Sequence, residues 1–198
     1  MHCGYCDELG KDAASMHLDE VIETLARLDQ EEGPHSFVSL TGGEPLLYLT
    51  FLKPLMERLK TRGLRAYLET SGVLWRALAE VLELCDVIAM DMKPSSVTGE
   101  PAFENEHARF LELARSRETF VKIVLSKAID LKEFDRLIGI VEKTAPKTPV
   151  ILQPLSGVLE GHEDPELMAL LDSLQRLALK RVPDVRIVPR LHKILKIR

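Results

Sequence analysis

Short apolar runs alternate with longer segments of helical periodicity along most of the chain. The apolar runs predict six strands, with the bounds Phe37 to Leu40, Ala66 to Glu69, Val87 to Asp91, Phe120 to Leu125, Val150 to Gln153 and Val185 to Val188. Strands separated by helix-length segments indicate a parallel sheet with crossover helices. No linker or low-complexity segment divides the chain, so the pattern predicts an α/β fold in one domain over residues 1–198.

Two of the helical segments carry a clear apolar stripe. The first stripe consists of Leu18, Val21, Ile22, Leu25 and Leu28, and the second of Leu167, Leu170, Leu171, Leu174 and Leu177. Helix starts are also marked, because Asp130 and Glu133 form a capping-box pattern and Asp164 precedes a proline suited to the first turn. The polar stretch Pro94 to Pro101 is predicted to be a loop.

Polar side chains lie at the carboxyl ends of several predicted strands. Glu69 ends one strand, Asp91 ends the next with Lys93 just beyond it, and Gln153 ends a later one. Strand alternation also places Lys122 on the face of Phe120 and Val124, so its ammonium is predicted to point inward and to need a partner. This layout is typical of ligand sites in α/β barrels and open α/β sheets. The alternative is an ion-pair network that only holds the sheet together.

Composition narrows the class of protein. The chain has 198 residues, a formal net charge of -5 and only 5% aromatic residues, so nothing in it calls for nucleic acid as a partner. No apolar run reaches the ~20 residues of a membrane helix, and no signal peptide is recognisable. Two of the three cysteines form a CxxC pair, which favours a reducing compartment over a disulfide framework. We therefore expect a cytoplasmic protein without a membrane partner.

The cysteine pair, Cys3 and Cys6, is a weak signal by itself. The same spacing occurs in zinc sites, in thioredoxin-like redox pairs and around iron-sulfur clusters. The third cysteine, Cys85, lies in an apolar run and is most simply a small buried hydrophobic residue. His2 and His17 could complete a zinc site, so the spacing alone leaves that alternative open.

A second motif, Thr41-Gly42-Gly43-Glu44-Pro45, follows the first predicted strand. The glycines and the proline are typical of a turn between a strand and a helix. That interpretation does not account for Glu44. Its carboxylate lies where glycine permits close approach to the backbone, and it could bind the ammonium of a ligand.

Both motifs resemble those of a known superfamily. Residues Met1 to Asp7 resemble the latter part of the CxxxCxxC loop that holds the iron-sulfur cluster of radical S-adenosylmethionine (SAM) enzymes, and Thr41 to Pro45 resemble their SAM-amine motif. Five further segments occur in the order seen in the 7-carboxy-7-deazaguanine synthase family: Glu69 to Gly72, Asp91 to Pro94, Val121 to Val124, Leu152 to Leu155 and Pro189 to Lys193. The resemblance covers essentially the whole chain.

The resemblance implies a fold and a set of site residues. The fold would be a partial (β/α)6 TIM-like barrel of the radical SAM type, without its first strand. Cys3 and Cys6 would be ligands of a [4Fe-4S] cluster whose remaining iron SAM chelates, and Thr41 would face the substrate. The SAM pocket would be lined by Gly43, Glu44, Ser71, Asp91, Met92, Lys93, Gln153, Pro154 and Leu155.

The resemblance also implies an activity. Such an enzyme would be a lyase that contracts the ring of 6-carboxy-tetrahydropterin to 7-carboxy-7-deazaguanine in queuosine- and archaeosine-type biosynthesis. It would need a small pterin-like substrate and a reductant such as flavodoxin. The resemblance is also compatible with a homodimer. Two other readings remain: another small radical SAM enzyme, such as a glycyl-radical activase, and a non-catalytic SAM-binding or zinc-stapled domain.

The sequence departs from the family pattern at two points. The family's first cysteine would lie four residues before Cys3, whereas the sequence begins two residues before it. We therefore expect that cysteine and the first strand upstream of Met1, or else a cluster-poor relative. The second departure is Glu8, which stands where the family has a magnesium-binding threonine. Glutamate is also a hard oxygen donor, so Glu8 is expected to bind Mg²⁺ or to mark a shifted or absent metal site.

Overall fold

The computed structural model describes residues 15–155 and 164–189. Within them, six parallel strands form one sheet in the order β1-β2-β3-β4-β5-β6. The strands are β1 Phe37–Leu40, β2 Arg65–Thr70, β3 Val87–Met92, β4 Glu118–Leu125, β5 Val150–Pro154 and β6 Val185–Ile187. Each strand predicted from the sequence is confirmed, with bounds that differ by at most two residues.

One helix precedes β1 and the others lie between successive strands. They are α1 Leu18–Glu32, α2 Leu49–Thr61, α3 Trp75–Val81, α4 Ser95–Thr98, α5 Glu104–Ala114, α6 Leu131–Thr144 and α7 Pro165–Leu179. Two 3₁₀ turns, Pro45–Leu47 and Leu82–Leu84, complete the described elements. Because crossovers between parallel strands are right-handed, a sequential strand order puts all the helices on the same side of the sheet. This arrangement confirms the predicted α/β fold of a partial barrel.

The sheet therefore has two unlike faces. The face toward the helices is apolar and fully buried, as Leu68, Met90 and Ile123 show, and it forms the main core. We call the opposite side the inner face. Asp91 and Lys122 lie side by side on it in the register of β3 and β4. The predicted inward direction of Lys122 is confirmed, because the residues before and after it in β4 belong to the apolar core.

Both predicted helix starts are present, but the capping box at the start of α6 has only one of its two hydrogen bonds. The Asp164 carboxylate accepts hydrogen bonds from the N–H groups of Glu166 and Leu167 at the start of α7. At α6, Asp130 Oδ1 accepts from the Glu133 N–H at 2.8 Å, as predicted. The reciprocal bond, from the Asp130 N–H to the Glu133 carboxylate, was predicted wrongly, because this N–H donates to Ser96 Oγ at 3.0 Å.

The stretch predicted to be a loop contains one helical turn, α4. Its first two N–H groups, on Ser95 and Ser96, donate to the two carboxylate oxygens of Glu133 at 2.6 and 3.0 Å. A helix of four residues is too short to show a helical period in the sequence, and the acceptor that stabilises it comes from α6.

Among the described residues, no helix is both long enough and apolar enough to cross a lipid bilayer.

Candidate active site

An ion-pair network occupies the carboxyl end of the inner face. Lys122 Nζ lies 2.9 Å from Asp91 Oδ1 and 3.3 Å from Glu69 Oε2, and Lys93 Nζ lies 3.4 Å from Asp91 Oδ2. Ser39 Oγ donates a hydrogen bond to Glu69 Oε1 at 3.3 Å. The four charged side chains are 16% to 36% exposed, so a ligand at this end of the sheet can reach them.

Lys122 is held in its charged form. Burial acts to lower the pKa of its ammonium, but the carboxylates of Asp91 and Glu69 outweigh burial, and the pKa lies above its ordinary value. Asp91 Oδ1 is itself buried and lies 2.9 Å from Lys122 Nζ, while Asp91 Oδ2 lies 3.4 Å from Lys93 Nζ. Each oxygen of Asp91 therefore lies beside one ammonium group.

Aromatic and charged side chains occupy the inner face below the network. The rings of Tyr67 and Phe120 lie 6.1 Å apart, and the half-burial of Tyr67, reinforced by the nearby Glu69 carboxylate, raises the pKa of its hydroxyl. Nearer the amino ends of the strands, the Arg65 guanidinium lies 4.3 Å from the centre of the Phe37 ring. Arg65 and Phe37 thus border the amino end of the inner face, and the charge network borders the carboxyl end.

The Glu44 carboxylate joins the loop after β1 to the end of β2. It accepts hydrogen bonds from Thr70 Oγ1 at 2.9 Å, from the Ser71 N–H at 2.8 Å, from the Ser71 hydroxyl, and from the Leu46 N–H at 3.2 Å. A carboxylate has about four lone-pair positions, so these donors use its full capacity. Glu44 thereby fixes the position of the two glycines that precede it.

The glycine loop itself is open. Thr41, Gly42 and Gly43 are exposed, and a Cβ added at Gly42 or Gly43 would meet no atom within 4 Å. Gly42 has a φ of +132°, which side-chain-bearing residues rarely adopt. A ligand can therefore contact the backbone of this loop directly.

A tightly packed glycine lies beside the Glu44 contact. Gly72 has a φ of +67°, and a Cβ there would lie 2.6 Å from Met90 Cγ and 3.3 Å from His107 Nδ1. Glycine is therefore the residue that fits the turn after β2, for both conformational and steric reasons.

His107 is a site residue that the sequence analysis missed. It is buried on α5, and its Nδ1 lies 3.0 Å from the Gly72 carbonyl oxygen. Burial lowers the pKa of this imidazole, so it is neutral at neutral pH and Nδ1 carries the proton that the carbonyl accepts. A signal was available, because His107 shares the apolar stripe of α5 with Phe110, Leu111 and Ala114.

The structure divides the residues predicted for the SAM pocket into two sets. Asp91, Lys93 and Gln153 lie at the strand ends with partly exposed side chains. Glu44 is also partly exposed, and Gly43 is exposed, in the loop after β1. Ser71 is nearly buried and contacts Glu44. Thr41 lies on the exposed loop, and Leu155 is half-buried just after β5.

Met92 and Pro154 were expected to line the SAM pocket, but their side chains do not face it. The Met92 side chain is fully buried in the core on the helix side of the sheet, and Pro154 is also buried. A ligand on the inner face can therefore reach the backbone of these two residues and not their side chains. Cys3, Cys6 and Glu8, the predicted metal ligands, lie outside the described residues.

Within residues 15–155 and 164–189, no group of three or more His, Cys, Asp or Glu side chains could hold a metal ion. Cys85 is buried, as the sequence suggested, and burial raises the pKa of its thiol to about 12. A protonated thiol is a poor zinc ligand, which argues against Cys85 in the zinc-stapled alternative.

The donor set fits the amino-acid part of SAM. A carboxylate needs cationic donors, which Lys93 and Lys122 provide, and an ammonium needs an anionic acceptor, which the partly exposed Glu44 provides. The open backbone beside Gly43 adds room for close approach.

Comparisons with known proteins identify relatives of the chain. The model of the Radical SAM superfamily matches residues 1–124. The 7-carboxy-7-deazaguanine synthase of Geobacter sulfurreducens is 36% identical over 163 residues, which are 82% of this chain and 64% of that protein. The synthase of Methanopyrus kandleri is 31% identical over 217 residues, which cover 98% of this chain and 81% of that protein.

Solved structures share the fold. Streptococcus suis SuiB bound to precursor peptide SuiA has a TM-score of 0.70 at 13% identity, covering 98% of this chain and 47% of that chain. This likeness shows the fold alone. The matched part of the chain spans less than two thirds of the Geobacter sulfurreducens relative. The family match and the identity to the two synthases show that the chain belongs to the radical SAM superfamily and, within it, to the 7-carboxy-7-deazaguanine synthase family.

Proposed function

We propose that the protein acts as a radical SAM lyase that contracts the ring of 6-carboxy-tetrahydropterin to form 7-carboxy-7-deazaguanine, with loss of ammonia. Family membership supports the reaction, and the relatives from two organisms carry the name of this synthase. The observation that carries the proposal in the structure is the charge network of Glu69, Lys122, Asp91 and Lys93, which lies at the same end of the sheet as the glycine loop.

The balance of this network suits a zwitterionic ligand. Two carboxylates and two ammonium groups neutralise one another before a ligand arrives. An amino-acid moiety brings one charge of each sign, so it can exchange partners with the network without leaving a net buried charge. Glu44, next to the open glycines, would accept from the ligand ammonium, and Lys93 would hold the ligand carboxylate.

The remaining proposed contacts follow from the loops. Gly43 offers its backbone to the methionine part of SAM, and Glu44 holds that backbone in place through Ser71. Gln153, Leu155 and the backbone of Met92 and Pro154 border the rest of the pocket. Thr41, on the exposed loop, faces the substrate.

Cys3 and Cys6 would hold the [4Fe-4S] cluster, which with SAM supplies the radical that removes hydrogen from the substrate. Glu8 would contribute to a Mg²⁺ site in the same segment. Lys122 keeps its positive charge and so can orient a carboxylated substrate. The electron for the reaction would come from a reductant such as flavodoxin. The protein would act in the cytoplasm, and its proposed assembly is a homodimer.

Anaerobic reconstitution tests the proposal. The protein, expressed with any residues that precede Met1 in its gene, is expected to turn brown, to bind about four irons and to form 7-carboxy-7-deazaguanine from the pterin with SAM and a strong reductant. Cys3→Ala or Cys6→Ala should abolish the colour. Stoichiometric zinc without iron, or a brown protein that binds SAM and forms no product, would contradict the proposed reaction.

A further inference from the structure

A buried carboxylate on α6 has no ion-pair partner within the described residues. Glu133 is 6% exposed, and its two oxygens accept hydrogen bonds from the backbone N–H groups of Ser95 and Ser96 at 2.6 and 3.0 Å. Burying a charged group is costly unless its hydrogen bonds are made. The two N–H groups meet that requirement, and they belong to the loop after β3, in a different part of the chain.

The Glu133 carboxylate is free to bind that loop because it does not close the capping box of α6. In a complete capping box the glutamate would accept from the Asp130 N–H. Ser96 Oγ accepts from that N–H instead, and Asp130 in turn accepts from the Glu133 N–H. We call the closed set of four hydrogen bonds among Ser95, Ser96, Asp130 and Glu133 the loop clamp.

The loop clamp lies next to the charge network. Pro94 alone separates Ser95 from Lys93, and its φ of -58° is fixed by the proline ring. Lys93 lies 3.4 Å from Asp91, and Asp91 lies 2.9 Å from Lys122. A shift of the clamped serines would therefore move Lys93 away from its partner.

We propose that Glu133 is a positioning residue for SAM binding, which holds the loop after β3 so that Lys93 stays beside Asp91. This inference rests on the proposed function, because it assumes that the charge network receives the amino-acid part of SAM. Two adjacent N–H groups need two acceptor oxygens, which a carboxylate has and an amide does not. Glutamine at this position would turn an NH₂ group toward one of the serine N–H groups.

The first test is calorimetric titration of SAM into the anaerobically reconstituted protein. Glu133→Gln is expected to weaken SAM binding about 10-fold, the effect of losing one hydrogen bond to a charged group. Glu142→Gln is the matched control on the same helix, because its carboxylate binds Arg181 and not the loop. That control is expected to bind SAM as the unaltered protein does.

A double substitution separates positioning from general loss of stability. If Glu133 acts through Lys93, the pair Lys93→Met with Glu133→Gln should bind SAM no more weakly than Lys93→Met alone. Additive losses would overturn the proposal. Should Glu133→Gln fail to fold, Ser96→Ala opens the loop clamp without removing the charge, and its loss of SAM affinity should likewise vanish in the Lys93→Met background.

The outcomes distinguish this inference from the proposed function. A protein that binds SAM and forms no product contradicts the proposed reaction and leaves the role of Glu133 intact if Glu133→Gln weakens binding. Equal SAM affinity of Glu133→Gln and the unaltered protein overturns the positioning role alone. Absence of SAM binding to the unaltered, cluster-loaded protein overturns both.

Discussion

The Glu44 carboxylate accepts hydrogen bonds from both the backbone N–H and the hydroxyl of Ser71. The loop after β1 and the end of β2 are therefore held as one unit, although 27 positions separate the two residues in sequence. The same carboxylate is the candidate partner of the SAM ammonium. These two roles compete for the same lone pairs, and they can be separated by substitution.

Glu44→Gln is expected to weaken SAM binding by about 10- to 100-fold while the cluster spectrum stays unchanged. The amide keeps the shape and loses a charge-assisted bond worth roughly 1.5 to 3 kcal/mol. Calorimetric titration of the reconstituted protein measures the effect. Unchanged affinity would leave Glu44 with a role in the turn alone.

Thr70→Val then separates the two roles. It removes the hydroxyl that donates to Glu44 and leaves the carboxylate and its charge in place. If Glu44 works by holding the loop, this variant should also lose SAM affinity. If Glu44 contacts the ammonium directly, the affinity should be retained or improved, since one lone pair is released.

Lys122→Met is expected to lower the free energy of unfolding by roughly 2 to 4 kcal/mol, because Asp91 and Glu69 would lose the cation between them. The estimate is below that of a fully buried pair, since the Lys122 side chain is 16% exposed. Urea denaturation measures the change, and Lys127→Met, which removes a lysine from a surface ion pair, serves as the control. A similar effect of both substitutions would contradict the importance of the inner network.

Gly72→Ala and Gly63→Ala form a matched pair for the turn after β2. Both glycines have left-handed φ values, +67° and +74°, but only Gly72 has atoms within 3 Å of the added Cβ. Gly63→Ala should cost about 1 kcal/mol of conformational strain. Gly72→Ala should cost at least about 2 kcal/mol more, because Met90 must move. Equal melting temperatures of the two variants would show that the packing around Met90 adapts freely.

Stability should also depend on pH through His107. Burial holds the pKa of the folded imidazole below its ordinary 6.5, so on acidification the unfolded chain takes up a proton that the folded chain does not. The free energy of unfolding should therefore fall as the pH drops below about 6.5, by at most about 1.4 kcal/mol per pH unit. Below the folded pKa this contribution levels off.

Urea titrations between pH 7.5 and pH 5 check the sign. His107→Gln keeps an N–H donor for the Gly72 carbonyl and does not titrate, so its stability should fall less steeply over this range. Parallel pH profiles for the two proteins would assign the acid sensitivity to other groups.

Strand positions could be predicted because each strand is a short apolar run, and the inward direction of Lys122 because side chains alternate along a strand. The family motif implies that Asp91, Met92 and Lys93 contact the ligand as one set, but alternation along the strand separates them. Consecutive strand residues point to opposite faces, so Met92 went to the core while Asp91 went to the inner face.

The loop clamp could not be predicted in the same way. Asp130 and Glu133 display a complete capping-box pattern, and nothing near them in sequence indicates that Ser96 supplies the missing half. That contact joins residues 34 positions apart and exists because two loops meet at the same edge of the sheet. His107 was accessible in principle, as a polar residue on an otherwise apolar stripe.

The unlike faces of the sheet also bear on how the specificity of such a protein can evolve. Point substitutions at Tyr67, Phe120 or Gln153 would change the side chains offered to a ligand and leave the helix-facing core untouched. Insertion or deletion of a single residue within a strand would instead exchange the two sets of side chains beyond it, burying charge and exposing core. Divergence toward new substrates is therefore expected to proceed by replacement on alternate strand positions, with length changes confined to the loops.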